Sequence, residues 1–293
     1  MLFKLNWTAE KQDHGKLLRE FLAEHEISRS GLADIKFKGG ALSVNGEKVT
    51  VRRQLKEGEQ IEVLFPPEHP SAGMEPESMP LRIVYEDDFI LIVDKPSGMN
   101  TIPSREHPFG SLANGLLGYY REKGIAATIH IVTRLDRDTT GLVLIAKHSH
   151  VHHLLSKQQR AGNINRTYEA LAEGVFAQEQ GVIEEPIARK KDSIIEREVH
   201  PSGQYACTVY KVLKQYPEYA HVRLKLMTGR THQIRVHLSY LGHPLIGDNL
   251  YGGNVSLLAR QALHCSQIRF FHPITGERLE FSIELPTELA DLL

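Results

Sequence analysis

A chain of 293 residues has room for about two domains of ordinary size, and 41% hydrophobic against 24% charged residues excludes a disordered chain. Lys and Arg number 35 against 36 Asp and Glu, a net charge of −1, so no global basic field marks a nucleic-acid binder; a polyanion would have to be held by local patches. The two distant cysteines, Cys207 and Cys265, argue against a disulfide framework or a zinc site, and no apolar run approaches the ~18 residues of a membrane span. The opening MLFKLNWTAEKQDHG has no small-residue cleavage site of a signal peptide, so the expectation is a soluble cytoplasmic protein.

In chain order, Leu17, Leu18, Phe21 and Leu22 make one apolar face at helical spacing. Ser28 reads as the cap of a second helix, with Ile27 and Leu32 as its hydrophobic staple and Gly39-Gly40 as its stop. Leu42 to Val49 reads as a hairpin turning at Asn45-Gly46, residues that accept the positive φ of a type I′ turn. Gln60 to Phe65 adds a strand. The stretch 66–80, PPEHPSAGMEPESMP, is rich in Pro, Glu and Ser without apolar periodicity and reads as a linker between domains at 1–65 and 81–293. Arg19, Arg29, Lys36 and Lys38 fall on or around the two helices, and Lys48, Arg52 and Arg53 on the hairpin. On charge alone they describe a solvated surface; two short helices against a hairpin also make an RNA-backbone clamp.

In the larger piece, Ile83 to Tyr85 and Phe89 to Val93 flank Glu86-Asp87-Asp88 as strand, turn and strand. Leu142 to Ala146 suits a buried strand. Val222, Leu224 and Leu226 alternate with polar residues as a half-exposed strand; Ile234, Leu238 and Leu241 follow at helical spacing and stop before Gly242-His243-Pro244. Without a βαβ rhythm, the pattern predicts an α+β fold with a largely antiparallel sheet.

Three polar segments could carry chemistry. In Thr133 to Gly141, Asp136 lies among Arg134, Arg137 and a buried strand: an ionised working carboxylate, or a turn Asp capping backbone amides. Thr228 to His237, where a strand runs into a helix, holds Arg230, His232 and Arg235. Arg235 could form a forked pair with a carboxylate, and the segment could equally bind phosphate or make a surface ion pair. Asn165 to Leu171 reads as a strand whose Tyr168 is either a cross-strand packing residue or a ring for stacking on a nucleobase. The tract His148 to His153 looks metal-binding, but its rings do not obviously converge with Cys or Asp, and a solvated helix start is preferred. Asp94, Asp136 and Asp138 allow a metal-dependent nuclease, and the basic residues allow a non-catalytic RNA-binding protein.

These segments, in this order, resemble the pseudouridine synthases of the RluA type. The matching pieces are Val93-Asp94-Lys95-Pro96-Ser97-Gly98, the run from Arg134 to Leu142, Arg166-Thr167-Tyr168-Glu169-Ala170, and Gly229-Arg230-Thr231-His232-Gln233-Ile234-Arg235. Gln261 to His264 and Phe271 to Glu277 match as well. The N-terminal order GKLLREFL, ISRSGL, IKFKGG, LSVNGEKV resembles the S-four-like (αL) RNA-binding domain, a partner typical of the family's ribosomal branch.

The resemblance implies a mixed, largely antiparallel sheet with a central cleft, in which uridines of RNA are isomerised without a cofactor or metal. Large-subunit ribosomal RNA is the expected substrate, tRNA the alternative, and no obligate protein partner is evident. It casts Asp136 as the catalytic aspartate and Tyr168 as the ring stacked on the uracil, taking part in proton transfer. Arg235 would pair with Asp136 at the cleft floor, and Arg134 would enter the RNA stack where the flipped uridine left. Arg137, Arg230 and His232 would add RNA contacts. Two positions depart from the family's pattern: Thr133 stands where it usually has His, and Thr140 where it has Ser.

Overall fold

A computed structural model describes residues 3–70 and 73–293. The N-terminal unit comprises β1 (Lys4–Thr8), α1 (Leu18–Glu24), α2 (Arg29–Phe37), β2 (Ala41–Val44), β3 (Glu47–Lys48) and β4 (Gln60–Leu64), its antiparallel sheet ordered β1-β4-β2-β3. Leu18, Phe21 and Leu22 of α1 and Ile35 of α2 share one buried core with Ile61 and Val63 of β4. The Ser28 hydroxyl caps α2, accepting the Gly31 N–H at 3.0 Å, an interaction of about 1 kcal/mol. Asn45 and Gly46 take φ of 51° and 82°, the pair of left-handed residues a type I′ turn requires. A Cβ at Gly40 would sit 2.6 Å from the Leu64 carbonyl, so the helix stop is also a point of close packing. Strand β1 was not foreseen; of its five residues only Leu5 is fully buried, too little alternation to read.

The rest of the chain is built on a ten-stranded sheet. Strands β5 (Arg82–Glu86) and β6 (Ile90–Lys95) form a hairpin whose turn is closed by the Asp87 carboxylate, accepting the N–H groups of Phe89 and Ile90 at 2.7 and 2.8 Å. Then come α3 (Leu112–Lys123), β7 (His130–Ile131), β8 (Thr140–Ala146), α4 (Ser149–Arg160), β9 (Asn165–Glu173) and β10 (Gln180–Ile183). A separate ribbon of β11 (Ile187–Arg189) and β12 (Arg197–Val199) precedes β13 (Thr208–Gln215), β14 (Tyr219–Leu226) and α5 (Gln233–Tyr240). The chain closes with β15 (Leu263–Phe271), β16 (Arg278–Ser282) and α6 (Thr287–Ala290).

The main path runs β10-β13-β14-β9-β15-β8-β6-β5, antiparallel except where β15 lies beside β8. Every residue of β8 is buried, as befits a central strand covered on both faces. This is the α+β, largely antiparallel architecture expected. Cys207 and Cys265 are buried and unpaired. No helix among the described residues is long and apolar enough to cross a membrane.

The described residues of the Pro-rich stretch have little regular structure, yet they are held in place. Its backbone is tied to α3: Asn114 Nδ2 donates to the Glu75 carbonyl at 2.8 Å, and Glu77 N donates to the Asn114 carbonyl at 3.0 Å. Met79 lies where a Cβ at Gly115 would be, and the Glu77 carbonyl leaves no space for one at Gly118. Two glycines that cost a helix about 1 kcal/mol each thus open the track along which this strap lies.

The histidine tract starts a helix, as read, but its His148 and His150 are buried rather than solvated. His148 is the N-cap of α4, accepting the His150 N–H at 3.1 Å, and its ring stacks on Phe3 at 4.1 Å. His150 lies 5.3 Å from the Phe65 ring. Glu68 reaches in from the strap to bond His130 at 2.7 Å and the Ser149 N–H at 2.9 Å, and Lys157 closes the rim on Glu26 at 2.6 Å. The tract is the seat of the N-terminal unit, a burial that local pattern cannot reveal because the covering residues come from elsewhere in the chain.

Burial pushes His148 and His150 down to about 4 from an ordinary 6.5. The unfolded chain takes up these protons near 6.5 and the folded one resists them to about 4, so stability is present above pH 6.5 and is lost as pH falls through that window. The denaturant midpoint is expected to drop between pH 6.5 and 4, and to drop less steeply in His150→Leu; parallel curves for the two proteins would remove His150 from the account.

Candidate active site

Asp136 sits in the irregular turn entering β8, and the turn is pinned from two distant parts of the chain. Lys95, wholly buried, donates to the carbonyls of Pro96 and Met99 at 2.8 Å each and of Arg137 at 2.9 Å, one acceptor for each N–H of its ammonium. Burial pulls its pKa down to about 7, against the pull of Asp138 and Asp136. The Thr101 hydroxyl donates to the Leu135 carbonyl at 2.7 Å and accepts its N–H at 3.2 Å. From the far side, Arg260 donates to the Asp138 carbonyl at 3.1 Å and Gln261 to the Thr139 hydroxyl at 3.3 Å. Asp136 is thereby presented half-exposed.

The two departures from the family's pattern face away from the site. Thr133 is buried, its hydroxyl accepting the Leu144 N–H at 3.0 Å, and Thr140 bonds His264 at 2.8 Å; neither lines the cleft.

That cleft has a volume of about 870 Å³ and brings Arg134, Asp136, Tyr168, His232 and Arg235 to one lining. Arg235 Nη1 lies 3.3 Å from Asp136 Oδ2, but its main partner is Asp248. There Nε and Nη2 donate to the two carboxylate oxygens at 2.7 Å each, fully buried. The forked pair read from the sequence is made with Asp248, and the Asp136 pairing implied by the resemblance is the single, longer contact. Asp248 has no periodic signal. A signal does lie in its neighbours Gly247 and Gly253, where any Cβ would strike the backbone at 1.9 Å, marking a loop forced tight around an acidic residue.

Tyr251, from the same loop, lies with its ring 4.9 Å from the Arg235 guanidinium and its hydroxyl 2.7 Å from His232 Nδ1. Burial pushes it up to about 12. Tyr168 is buried on β9 with its hydroxyl accepting from Arg166 at 3.2 Å; burial carries its pKa well above the usual tyrosine range, so the phenol keeps its proton.

Arg134, Arg137 and Arg230 are exposed at the cleft, Arg137 donating to the Gly98 carbonyl at 3.4 Å and Arg230 to that of Tyr205 at 3.0 Å. His232 lines the same cleft, half-buried, with its ring aimed at Asp136 by the left-handed conformation in which α5 starts. Arg19, Arg29, Lys36 and Lys38 are exposed on the N-terminal unit and do not line the cleft. Lys36 joins Lys48 and Arg52 along a groove of about 540 Å³ between α2 and residues 48–52, whereas Lys38 pairs with Asp34 at 2.8 Å. Asp94 pairs with Arg82 at 3.1 Å, and among the described residues no three His, Cys, Asp or Glu side chains gather as a metal-ligand set.

Residues 89–240 match the sequence profile of the family described as RNA pseudouridylate synthase. An uncharacterized RNA pseudouridine synthase of Bacillus subtilis (strain 168), YjbO, is 49% identical, over 94% of this chain and 98% of that protein. The ribosomal large subunit pseudouridine synthase D of Pasteurella multocida is 38% identical over 95% of this chain and 90% of its own length. The solved structure of human RNA pseudouridylate synthase domain containing 1 superposes with a TM-score of 0.59 at 26% identity, covering 72% of this chain and 86% of that one. With the family profile spanning more than half the chain and these relatives nearly all of it, the chain belongs to the RluA-type RNA pseudouridine synthases, isomerases that convert uridine in RNA to pseudouridine.

Proposed function

We propose that this enzyme modifies uridines of large-subunit ribosomal RNA in the cytoplasm, with Asp136 as its catalytic carboxylate. The observation that carries the reading is the state of that side chain: half-exposed in the cleft, with Oδ2 held by Arg235 and Oδ1 accepting from no side chain or backbone group of the described residues. The isomerisation breaks the bond between ribose and uracil nitrogen, turns the base and rejoins it through carbon five. Atoms are conserved, so one carboxylate suffices, as nucleophile or as base toward a ribose proton. A base paired in a helix is out of reach and has to leave the stack; Tyr168 supplies the ring against which the flipped uracil lies, and Arg134 fills the space it left. Arg235, locked by Asp248, keeps the carboxylate from swinging. Arg137 and Arg230 at the cleft mouth hold phosphates.

The ribosomal substrate rests on the relatives named for the large subunit and on the N-terminal unit, which we assign at residues 1–65 as an S-four-like RNA-binding domain, joined through 66–80 to a catalytic domain at 81–293. Purified enzyme is expected to form pseudouridine in large-subunit ribosomal RNA transcripts and not in tRNA; conversion confined to tRNA would overturn the assignment. Arg29→Glu with Lys36→Glu is expected to weaken RNA binding and to lower the slope of log affinity against log salt by about 2. Saturating RNA should restore the turnover rate, and an unchanged slope removes the N-terminal unit from RNA binding.

A further inference from the structure

We propose that His232 and Tyr251 form a positioning pair for Asp136, in which Tyr251 fixes the proton of His232 on Nε2 and thereby aims a second N–H at the carboxylate. The inference rests on Asp136 being the catalytic group and adds how its two oxygens are told apart.

The chain conformation points to it first. His232 opens α5 at φ 56° and ψ 19°, left-handed, and its side chain makes no capping bond. A bulky residue in that region is strained by about 1 kcal/mol, and Asn would sit there more easily and cap better. The strain serves the placing of the ring.

The hydrogen bonds then favour one tautomer. The Tyr251 hydroxyl accepts the Arg197 N–H at 2.9 Å and lies 2.7 Å from His232 Nδ1. A backbone amide can only donate, so it occupies one lone pair of the phenol and leaves the phenol's own proton to be given to Nδ1; in the proposed arrangement the neutral imidazole accepts there and carries its proton on Nε2. Burial keeps the imidazole neutral, lowering its pKa against the opposing pull of Asp136. The charged and titratable groups around it are Asp136, Arg235, Arg197, Asp248 and Tyr251.

Nε2 stands 3.9 Å from Asp136 Oδ2, the oxygen that Arg235 reaches at 3.3 Å. Two N–H donors thus converge on Oδ2, and Oδ1 is the oxygen left for the nucleoside. At 3.9 Å the histidine contact is too long for a hydrogen bond, and the pair as proposed requires it to shorten with RNA bound.

Two measurements test the pair. Nitrogen-15 spectra of the histidine rings in the RNA-free enzyme should show His232 with a protonated Nε2 and an unprotonated Nδ1, and in Tyr251→Phe a mixture of both tautomers. In kinetics, His232→Gln places an amide where Nε2 was, and His232→Asn places one where Nδ1 was. We expect Asn to lower kcat about tenfold with KM within about twofold, and Gln to retain most of kcat. A merely structural role predicts the opposite order, because Asn tolerates the left-handed backbone better. A proton on Nδ1 in the wild-type enzyme, or Asn as active as Gln, overturns the proposal. The tautomer is read without turnover, so it stands apart from any failure of Asp136 as the catalytic group.

Discussion

Asp136→Asn is expected to cut pseudouridine formation by at least about a thousandfold, within the range for a lost acid–base group, while RNA affinity stays within about tenfold. Separation of the two effects follows from how the turn is built. Its shape comes from Lys95, Thr101, Arg260 and Gln261 bonding to backbone carbonyls and to Thr139, none of which depends on the Asp136 carboxylate. An amide fills the same volume and still accepts from Arg235, but it can neither attack carbon nor take a proton at neutral pH. Phosphate contacts, as proposed above, lie with other residues. Single-turnover conversion beside equilibrium binding on one RNA separates the terms, and conversion at the wild-type rate would remove Asp136 from the chemistry.

Asp248→Asn is expected to produce the largest loss of stability among single changes in the cleft. The forked Asp248–Arg235 pair is buried, and neutralising one partner leaves a guanidinium short of its counter-charge, at a cost of about 3–5 kcal/mol. Asp136 cannot take over, because its one contact is longer and half in solvent. For a chain of this size the thermal midpoint should fall by about 10 °C. Activity should fall as well, since Arg235 is then drawn toward Asp136 and no longer fixed. A midpoint within about a degree of wild type would mean that the charge is balanced elsewhere.

The sequence carried the fold class because most of its signals are local. The Ser28 cap, the Asn45-Gly46 turn and the unbroken apolar run of β8 each follow from a few adjacent residues, and each stands in the structure as read. Asp136, Tyr168 and Arg235, far apart along the chain, could be joined only through the family resemblance, and they do share one cleft. What escaped depends on neighbours distant in sequence. Asp248 is defined by meeting Arg235, His148 by being covered by Phe3 and Glu68, and His232 by a backbone angle that no residue pattern announces. Lys95 belongs to a motif legible in the sequence, yet its work, saturating three carbonyls around a turn, shows only in three dimensions.

The spread of the anchors around Asp136 has a consequence for biosynthesis. The N-terminal unit draws its core from residues 5–65, so it can close soon after leaving the ribosomal exit tunnel, whereas the loop bearing the carboxylate waits for Arg260 and Gln261. If the N-terminal unit binds RNA as proposed, nascent chains would gain that grip before any capacity for turnover. A chain cut before residue 260 would lack both of these anchors and leave the turn that carries Asp136 held from one side only.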